Sequence, residues 1–319
     1  MNLVILDGYT VIGTDLTWQL LRELPGMAIS TYDRTGAEEV VNRCREADAV
    51  LTNKVAITED VLRQLPRLRY IGVLATGYNV VDIPAARRRN ITVTNIPAYS
   101  TASVAQSVFA HLLHVTNSVA HYAEENRRGR WTESPDFMWA DTHLFELADK
   151  TLAIRGMGNI GTQVARIALA FGMRVVAVSH RPADELPEGV EKVDWEDALS
   201  QADVLSLHCP LTDETREIIN HETLARMKST AIIINTGRGP LIHEGDVAQA
   251  LRENRVAAYC ADVLTTEPAL PDNPLLTAPR CYLTPHIAWA TQEARLRLIR
   301  TATENLRAYL NGQPVNVVS

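Results

Sequence analysis

Cysteine is scarce in this 319-residue chain: Cys44, Cys209, Cys260 and Cys281 are all there are, and none falls in a CxxC pair. The spacing of a thiolate metal site or a dithiol redox motif is missing, so the four read as buried reduced thiols and the expected compartment is the cytoplasm. Long apolar runs are missing too. No stretch approaches the roughly 20 residues that a membrane span needs. The opening MNLVILDGYT has no basic segment and no small-residue cleavage site, and reads as a first buried strand rather than a secretory leader. Basic charge is in deficit, with Lys+Arg 31 against Asp+Glu 38 and a net charge of -7. Nucleic-acid binding needs clustered cations to neutralise phosphates, so that class of partner is not expected. A small anionic substrate is compatible, because its site needs only one or two local cations. Repeats and low-complexity tracts are absent.

What the chain does contain is a steady alternation of short apolar runs and longer helical patterns, with 46% apolar residues. At roughly 100–200 residues per domain the length fits about two domains. The alternation predicts repeated βα units and mostly parallel sheets. Five strands are expected in a first series, at 3–6, 28–32, 49–51, 70–74 and 92–94, separated by helical patterns such as 38–46 and 58–64. Asn95-Ile96-Pro97 then breaks the pattern. Val104, Val108, Leu112, Val115 and Val119 recur at helical spacing and predict one long helix from 101 to 128, after which 130–149 reads as irregular. A second series predicts strands at 151–155, 174–178, 204–208, 231–235, 257–262 and 281–284, enough for a full dinucleotide-binding sheet. The stretch 291–310 reads as one helix that periodicity assigns to neither domain.

Strand 151–155 runs straight into Gly156-Met157-Gly158-Asn159-Ile160-Gly161 and then a helical pattern with Val164, Ile167, Ala168 and Phe171 on one face. A GxGxxG between strand and helix is the context a dinucleotide site requires. Gly156 permits the tight turn, Gly158 lets the pyrophosphate approach the backbone, and Gly161 lets helix and strand pack closely. The helix N-terminus then offers free N–H groups and a favourable dipole to the phosphates. An NAD site usually carries an acid about 20 residues further on, to hold the ribose 2′-hydroxyl. Here the second strand ends Val178-Ser179-His180-Arg181-Pro182, and Asp184 and Glu185 come only after the proline. Ser179 and Arg181 can bind a 2′-phosphate that an acid would repel, which favours NADP(H). If Arg181 is merely solvated, NAD(H) is used instead. His180 reads as a surface residue beside them. Arg155 is unusual in a buried strand; it could reach the cofactor phosphates or pair with an acid, and both readings stay open.

Three further signals follow three strands of the second series: Arg238 in Asn235-Thr236-Gly237-Arg238-Gly239, Glu267 in Glu267-Pro268, and His286 in Thr284-Pro285-His286-Ile287-Ala288. In a parallel sheet all three stand at the carboxyl ends, where open α/β folds bind ligands. Arg238 has the planar fork of donors that suits a carboxylate beside a 2-carbonyl. His286 can give a proton to the carbonyl oxygen and take it back in the reverse direction. Glu267 can hold His286 in one tautomer and favour its protonated form. His208, at a strand end beside Cys209-Pro210, is placed to line the cofactor pocket. His111, His114, His121, His143, His221 and His243 carry no comparable signal.

Taken together, GMGNIG at 156–161, HCPLTDET at 208–215, INTGRGPLIHEGDV at 234–247, ADV at 261–263, EP at 267–268 and TPHIAWAT at 284–291, with GVLATGYNVVD at 72–82 and TNIPAYSTASVAQ at 94–106, resemble the D-isomer-specific 2-hydroxyacid dehydrogenases over nearly the whole chain. The AYST and HIAWAT segments are most similar to the branch of glycerate dehydrogenases and hydroxypyruvate/glyoxylate reductases. The resemblance implies an α/β fold of two doubly wound parallel-sheet domains. A Rossmann cofactor domain, 98–287, would be inserted into a flavodoxin-like substrate domain made of 1–97 plus 288–319. It implies Arg238, Glu267 and His286 as catalytic residues, with Ala75, Thr76 and Gly77 joining Arg238 at the substrate carboxylate. It implies a cofactor set of Gly156, Gly158, Asn159, Ile160, Gly161, Ser179, His180, Arg181, His208, Pro210, Thr215, Thr236, Asp262 and His286, with Asp262 as the carboxamide partner. It also implies a homodimer using the helix near 103–120. Two positions depart from the usual pattern, Gln106 where glutamate is common and Arg155 where an apolar residue is. The implied reaction is hydride transfer between a nicotinamide cofactor and a small 2-oxo/2-hydroxy acid, with hydroxypyruvate or glyoxylate as the first candidate. The same chemistry on another 2-oxo acid, and a dinucleotide-sensing scaffold related to corepressors of this fold, are the alternatives.

Overall fold

The computed structural model describes residues 1–319. The chain forms two compact units, Met1–Ser100 with Trp289–Ser319, and Thr101–Ala288.

The first unit is built on β1 (Asn2–Ile5), β2 (Ala28–Thr31), β3 (Ala49–Thr52), β4 (Tyr70–Val73) and β5 (Thr92–Thr94). They pair in parallel in the order β2-β1-β3-β4-β5. All four residues of β3 and of β4 are buried, which is why they read as unbroken apolar runs rather than alternating ones. The helix Gln292–Leu310 belongs to this unit. Its Ala294, Leu298, Ile299, Ala302 and Leu306 pack in one cluster with Leu3, Ile5 and Tyr70. Full burial of each leucine or isoleucine stabilises by about 2–3 kcal/mol, ample to fix the helix there. Thr291 caps it by accepting the Ala294 N–H at 3.3 Å.

The second unit holds β6 (Thr151–Arg155), β7 (Arg174–Val178), β8 (Val190–Lys192), β9 (Val204–Leu207), β10 (Ile232–Asn235), β11 (Ala258–Ala261) and β12 (Cys281–Leu283). Their order is β12-β11-β10-β9-β6-β7-β8, all parallel. Six of the seven match the expected series. The seventh, β8, is a three-residue Val-Glu-Lys edge strand without buried positions, too short for an apolar pattern. The order reverses between β6 and β9, and this switch point opens a crevice at the carboxyl ends.

The helices Thr101–Asn117 and Asn159–Ala170 cover one face of this sheet, with Phe109, Leu112, Val164 and Ala168 in a common core. The single helix expected over 101–128 is in fact two. Ser118 takes the left-handed conformation (φ 49°) and separates Thr101–Asn117 from Val119–Arg127. Val119 completed the apolar stripe in the sequence, yet it is 66% exposed, so tertiary packing ends at the break. No helix is long and apolar enough to cross a membrane.

Candidate active site

The glycine loop leaves β6 and enters the helix Asn159–Ala170 as its spacing requires. Gly156 has φ 101°, and a Cβ there would lie 2.6–2.7 Å from backbone atoms of His208 and Cys209. The loop therefore presses directly on the segment that follows β9, across the switch point. A Cβ on Gly161 would meet the Gly156 carbonyl oxygen at 2.1 Å. Around Gly158 there is open space, and as N-cap it supplies no side-chain acceptor to the first N–H groups of the helix. Those donors, with the exposed Asn159 and the half-buried Ile160, form an anion cradle of the kind a pyrophosphate fills. A second observation fits a bound dinucleotide: the Thr236 hydroxyl, at the end of β10, is buried without a hydrogen-bond partner. Unpartnered buried hydroxyls are rare because each forgoes a bond it would make in water.

Ser179 and Arg181 stand at the end of β7, with the Arg181 N–H donating to Ser179 Oγ at 3.1 Å. The structure adds a cation that sequence reading missed. Lys192 of β8 donates to the Arg181 carbonyl at 2.7 Å, which brings a second basic side chain to this corner. Only the β7–β8 pairing reveals it. Arg155 pairs with no acid: its guanidinium lies over the Trp195 ring, 5.2 Å from the centroid. His208 Nε2 is hydrogen-bonded to Ser206 Oγ at 2.8 Å. Burial pushes its imidazole down to about 4, so it is neutral at physiological pH. Thr215 turns inward, its hydroxyl donating to the Pro210 carbonyl at 2.7 Å and accepting from the Thr212 N–H. It shapes the 210–215 loop, whose Pro210 is exposed.

Arg238, Glu267 and His286 follow β10, β11 and β12, which are neighbours in the sheet. His286 Nδ1 lies 2.6 Å from Glu267 Oε2. Glu267 is itself anchored, its Oε1 accepting the Leu264 N–H at 3.1 Å. With Nδ1 committed to the carboxylate, Nε2 is the ring nitrogen left for a substrate. The arginine loop is built by Asn235, whose amide accepts from the Gly237 N–H (3.0 Å) and donates to the Arg238 carbonyl (2.9 Å). A Cβ on Gly239 would lie 2.0–2.4 Å from backbone atoms of Leu264 and Thr265. Glycine there lets the arginine loop rest on the loop that carries Glu267. The Arg238 guanidinium is exposed, bonds the Gly237 carbonyl at 2.8 Å and forms no salt bridge.

Asp262, 1% exposed, spends its carboxylate on the turn around His286. Oδ1 accepts from Thr284 Oγ1 (2.6 Å) and the Ile287 N–H (2.8 Å), and Oδ2 from the Ala288 N–H (2.8 Å). His286 itself has φ 54°, a conformation that costs a non-glycine residue energy and persists where its surroundings impose it. Ala75, Thr76 and Gly77 belong to the first unit, just beyond β4. There the Thr76 hydroxyl donates to the Ile96 carbonyl, and Asn95 Nδ2 to the Thr76 carbonyl, both at 2.8 Å.

Residues 109–288 match the family model described as D-isomer specific 2-hydroxyacid dehydrogenase, NAD binding domain. A hydroxypyruvate reductase of Blautia hydrogenotrophica is 45% identical over 324 residues, covering 100% of both chains. A glycerate dehydrogenase of Methylorubrum extorquens is 40% identical over 283 residues, with 88% of each chain covered. Among solved structures, an acyclic imino acid reductase in complex with NADPH and D-Arg has a TM-score of 0.85 at 31% identity, covering 100% of both chains. The chain belongs to the D-isomer specific 2-hydroxyacid dehydrogenases, nicotinamide-dependent enzymes of 2-oxo/2-hydroxy acid pairs.

Proposed function

We propose that the protein reduces hydroxypyruvate or glyoxylate with NADPH in preference to NADH, giving D-glycerate or glycolate. The observation that carries this is the His286–Glu267 pair, 2.6 Å apart, one strand from Arg238 and downstream of the glycine loop in the same sheet. When bound, the nicotinamide supplies the hydride. The chain supplies the rest. Arg238 holds the substrate carboxylate and polarises the 2-carbonyl with its fork of donors. In the first unit, the backbone N–H groups of Ala75, Thr76 and Gly77 are donors that suit an anionic group. His286 Nε2 gives the carbonyl oxygen its proton, and Glu267 keeps Nδ1 facing away and stabilises the charged ring. Asp262 Oδ2 retains acceptor capacity beyond the Ala288 N–H, which suits a carboxamide NH₂.

The coenzyme preference rests on the corner beyond β7, where Ser179, Arg181 and Lys192 meet and no acid stands at the strand end. Three donors there suit a 2′-phosphate. Neighbouring structures hold either coenzyme, NADPH in the imino acid reductase and NAD in a D-lactate dehydrogenase, so the choice rests on this corner alone. The substrate follows the relatives, whose names are hydroxypyruvate reductase and glycerate dehydrogenase.

The active form is a homodimer. Beyond the break at Ser118 the second unit exposes Val119, Trp131, Phe137, Met138 and Leu144, with Phe137 90% exposed. Apolar groups so concentrated in one segment are what a second copy would cover. All four cysteines are free, in keeping with a cytoplasmic enzyme.

Initial rates of hydroxypyruvate and glyoxylate reduction with each coenzyme test the proposal. A higher kcat/KM with NADPH is expected. Turnover confined to bulkier 2-oxo acids would overturn the substrate, a preference for NADH would overturn the cofactor, and binding without turnover would favour a sensing scaffold.

A further inference from the structure

His111 belongs to the helix Thr101–Asn117, where its buried neighbours Val108, Phe109 and Leu112 are apolar. It is 7% exposed, and burial pushes its imidazole below the usual histidine range, against the opposing pull of the Asp262 carboxylate. A leucine would fill such a position without the cost of burying a polar ring. Its Nε2 lies 3.2 Å from Thr284 Oγ1, and that hydroxyl donates to Asp262 Oδ1 at 2.6 Å. A hydroxyl has one proton to give. Thr284 has given it to Asp262, so His111 must be the donor, with its proton on Nε2. The bonds therefore run one way, from His111 to Thr284 to Asp262. Asp262 then grips both sides of His286, through Thr284 before it and the Ile287 and Ala288 N–H groups after it.

We infer that His111 is a positioning residue, which holds the turn carrying His286 through the Thr284 hydroxyl and the Asp262 carboxylate. It touches neither substrate nor cofactor; it sets where the proton donor stands. The catalytic half of this inference rests on the reading of His286 given above. Donation is what matters at this position. His111→Gln keeps an N–H donor, whereas His111→Leu fills the space without one, and Thr284→Val removes the hydroxyl at nearly constant volume.

The test compares these variants by kcat, by KM for the oxo acid and by backbone hydrogen exchange over 284–288. His111→Leu and Thr284→Val should each lose roughly ten- to hundredfold in kcat, the scale of a small misplacement of a catalytic group, with KM little changed. Exchange should quicken at 284–288 and not across the rest of the sheet, and His111→Gln should restore most of both. The inference is overturned if His111→Leu keeps wild-type kcat and exchange, or if His111→Gln is impaired as badly as His111→Leu. Should His111→Leu fail to fold, Thr284→Val decides by the same readouts. Should the wild-type enzyme turn over no 2-oxo acid, the functional reading fails, while exchange at 284–288 still decides whether His111 holds the turn.

Discussion

His286 and Glu267 are joined by a 2.6 Å hydrogen bond between Nδ1 and Oε2, and both side chains stay partly open to solvent, at 29% and 35%. The pair is held firmly at one end and accessible at the other, as the proposed proton donor must be. His286→Gln removes the transferable proton and should lower kcat by about 10²–10⁴. Glu267→Gln keeps a hydrogen-bonding side chain but loses the charge, and should cost less, about 10–10². Steady-state rates at saturating substrate check both, and wild-type kcat in His286→Gln would remove the proposed role.

Arg238 forms no salt bridge, so its substitution should leave the fold intact. Arg238→Lys keeps the charge and loses the planar fork. A bond to a charged group is worth about 1.5–3 kcal/mol, so kcat/KM should fall roughly 10- to 100-fold. Guanidine added to an Arg238→Ala variant should restore part of the activity, and no response at all would argue against a direct contact with substrate.

At the corner beyond β7, Arg181→Ala and Lys192→Ala should each raise the KM for NADPH while leaving that for NADH nearly unchanged. Both side chains are exposed, so an effect of about three- to tenfold is expected from each. Ser179→Asp should reverse the preference by repelling the 2′-phosphate. Equal effects on the two coenzymes would locate these cations away from the phosphate.

Gly161→Ala places a methyl group 2.1 Å from the Gly156 carbonyl oxygen. Loop and helix must separate to admit it, a strain of about 1–3 kcal/mol. The variant should show both a lower unfolding temperature and weakened coenzyme binding, measured by calorimetry and by fluorescence titration. An unaltered titration would mean that the loop adjusts freely.

His208 gives a pH dependence of definite sign. Its imidazole is lowered from 6.5 to about 4 in the folded protein. As pH falls below 6.5 the unfolded chain takes up this proton first. Stability is therefore full above 6.5 and declines towards pH 4, by up to about 3 kcal/mol. Urea midpoints recorded from pH 7.5 to 4.5 should fall, and His208→Gln should flatten part of the slope. Parallel slopes in the two proteins would exclude His208 as the source.

The alternation of apolar runs with helical stretches was enough to give two parallel α/β sheets, because strands buried on both faces must read as continuous apolar segments. The glycine spacing at 156–161 identified a tight strand-to-helix loop, because only glycine tolerates φ 101° at Gly156 and the backbone approach at Gly161. Arg238, Glu267 and His286 were legible because each follows a strand, and a parallel sheet delivers all its carboxyl ends to one edge. Tertiary structure decided what depends on partners distant in sequence. The break at Ser118 follows from where packing stops, which periodicity alone does not reveal. The helix Gln292–Leu310 joins the first unit because its apolar face meets Leu3, Ile5 and Tyr70. Lys192 reaches the corner beyond β7 only because β8 pairs with β7, and the Arg155 guanidinium settles over the Trp195 ring rather than against an acid. His111 carried no signal in the sequence, since a histidine in an apolar stripe acquires a direction only when Thr284, 173 residues away, is placed against it.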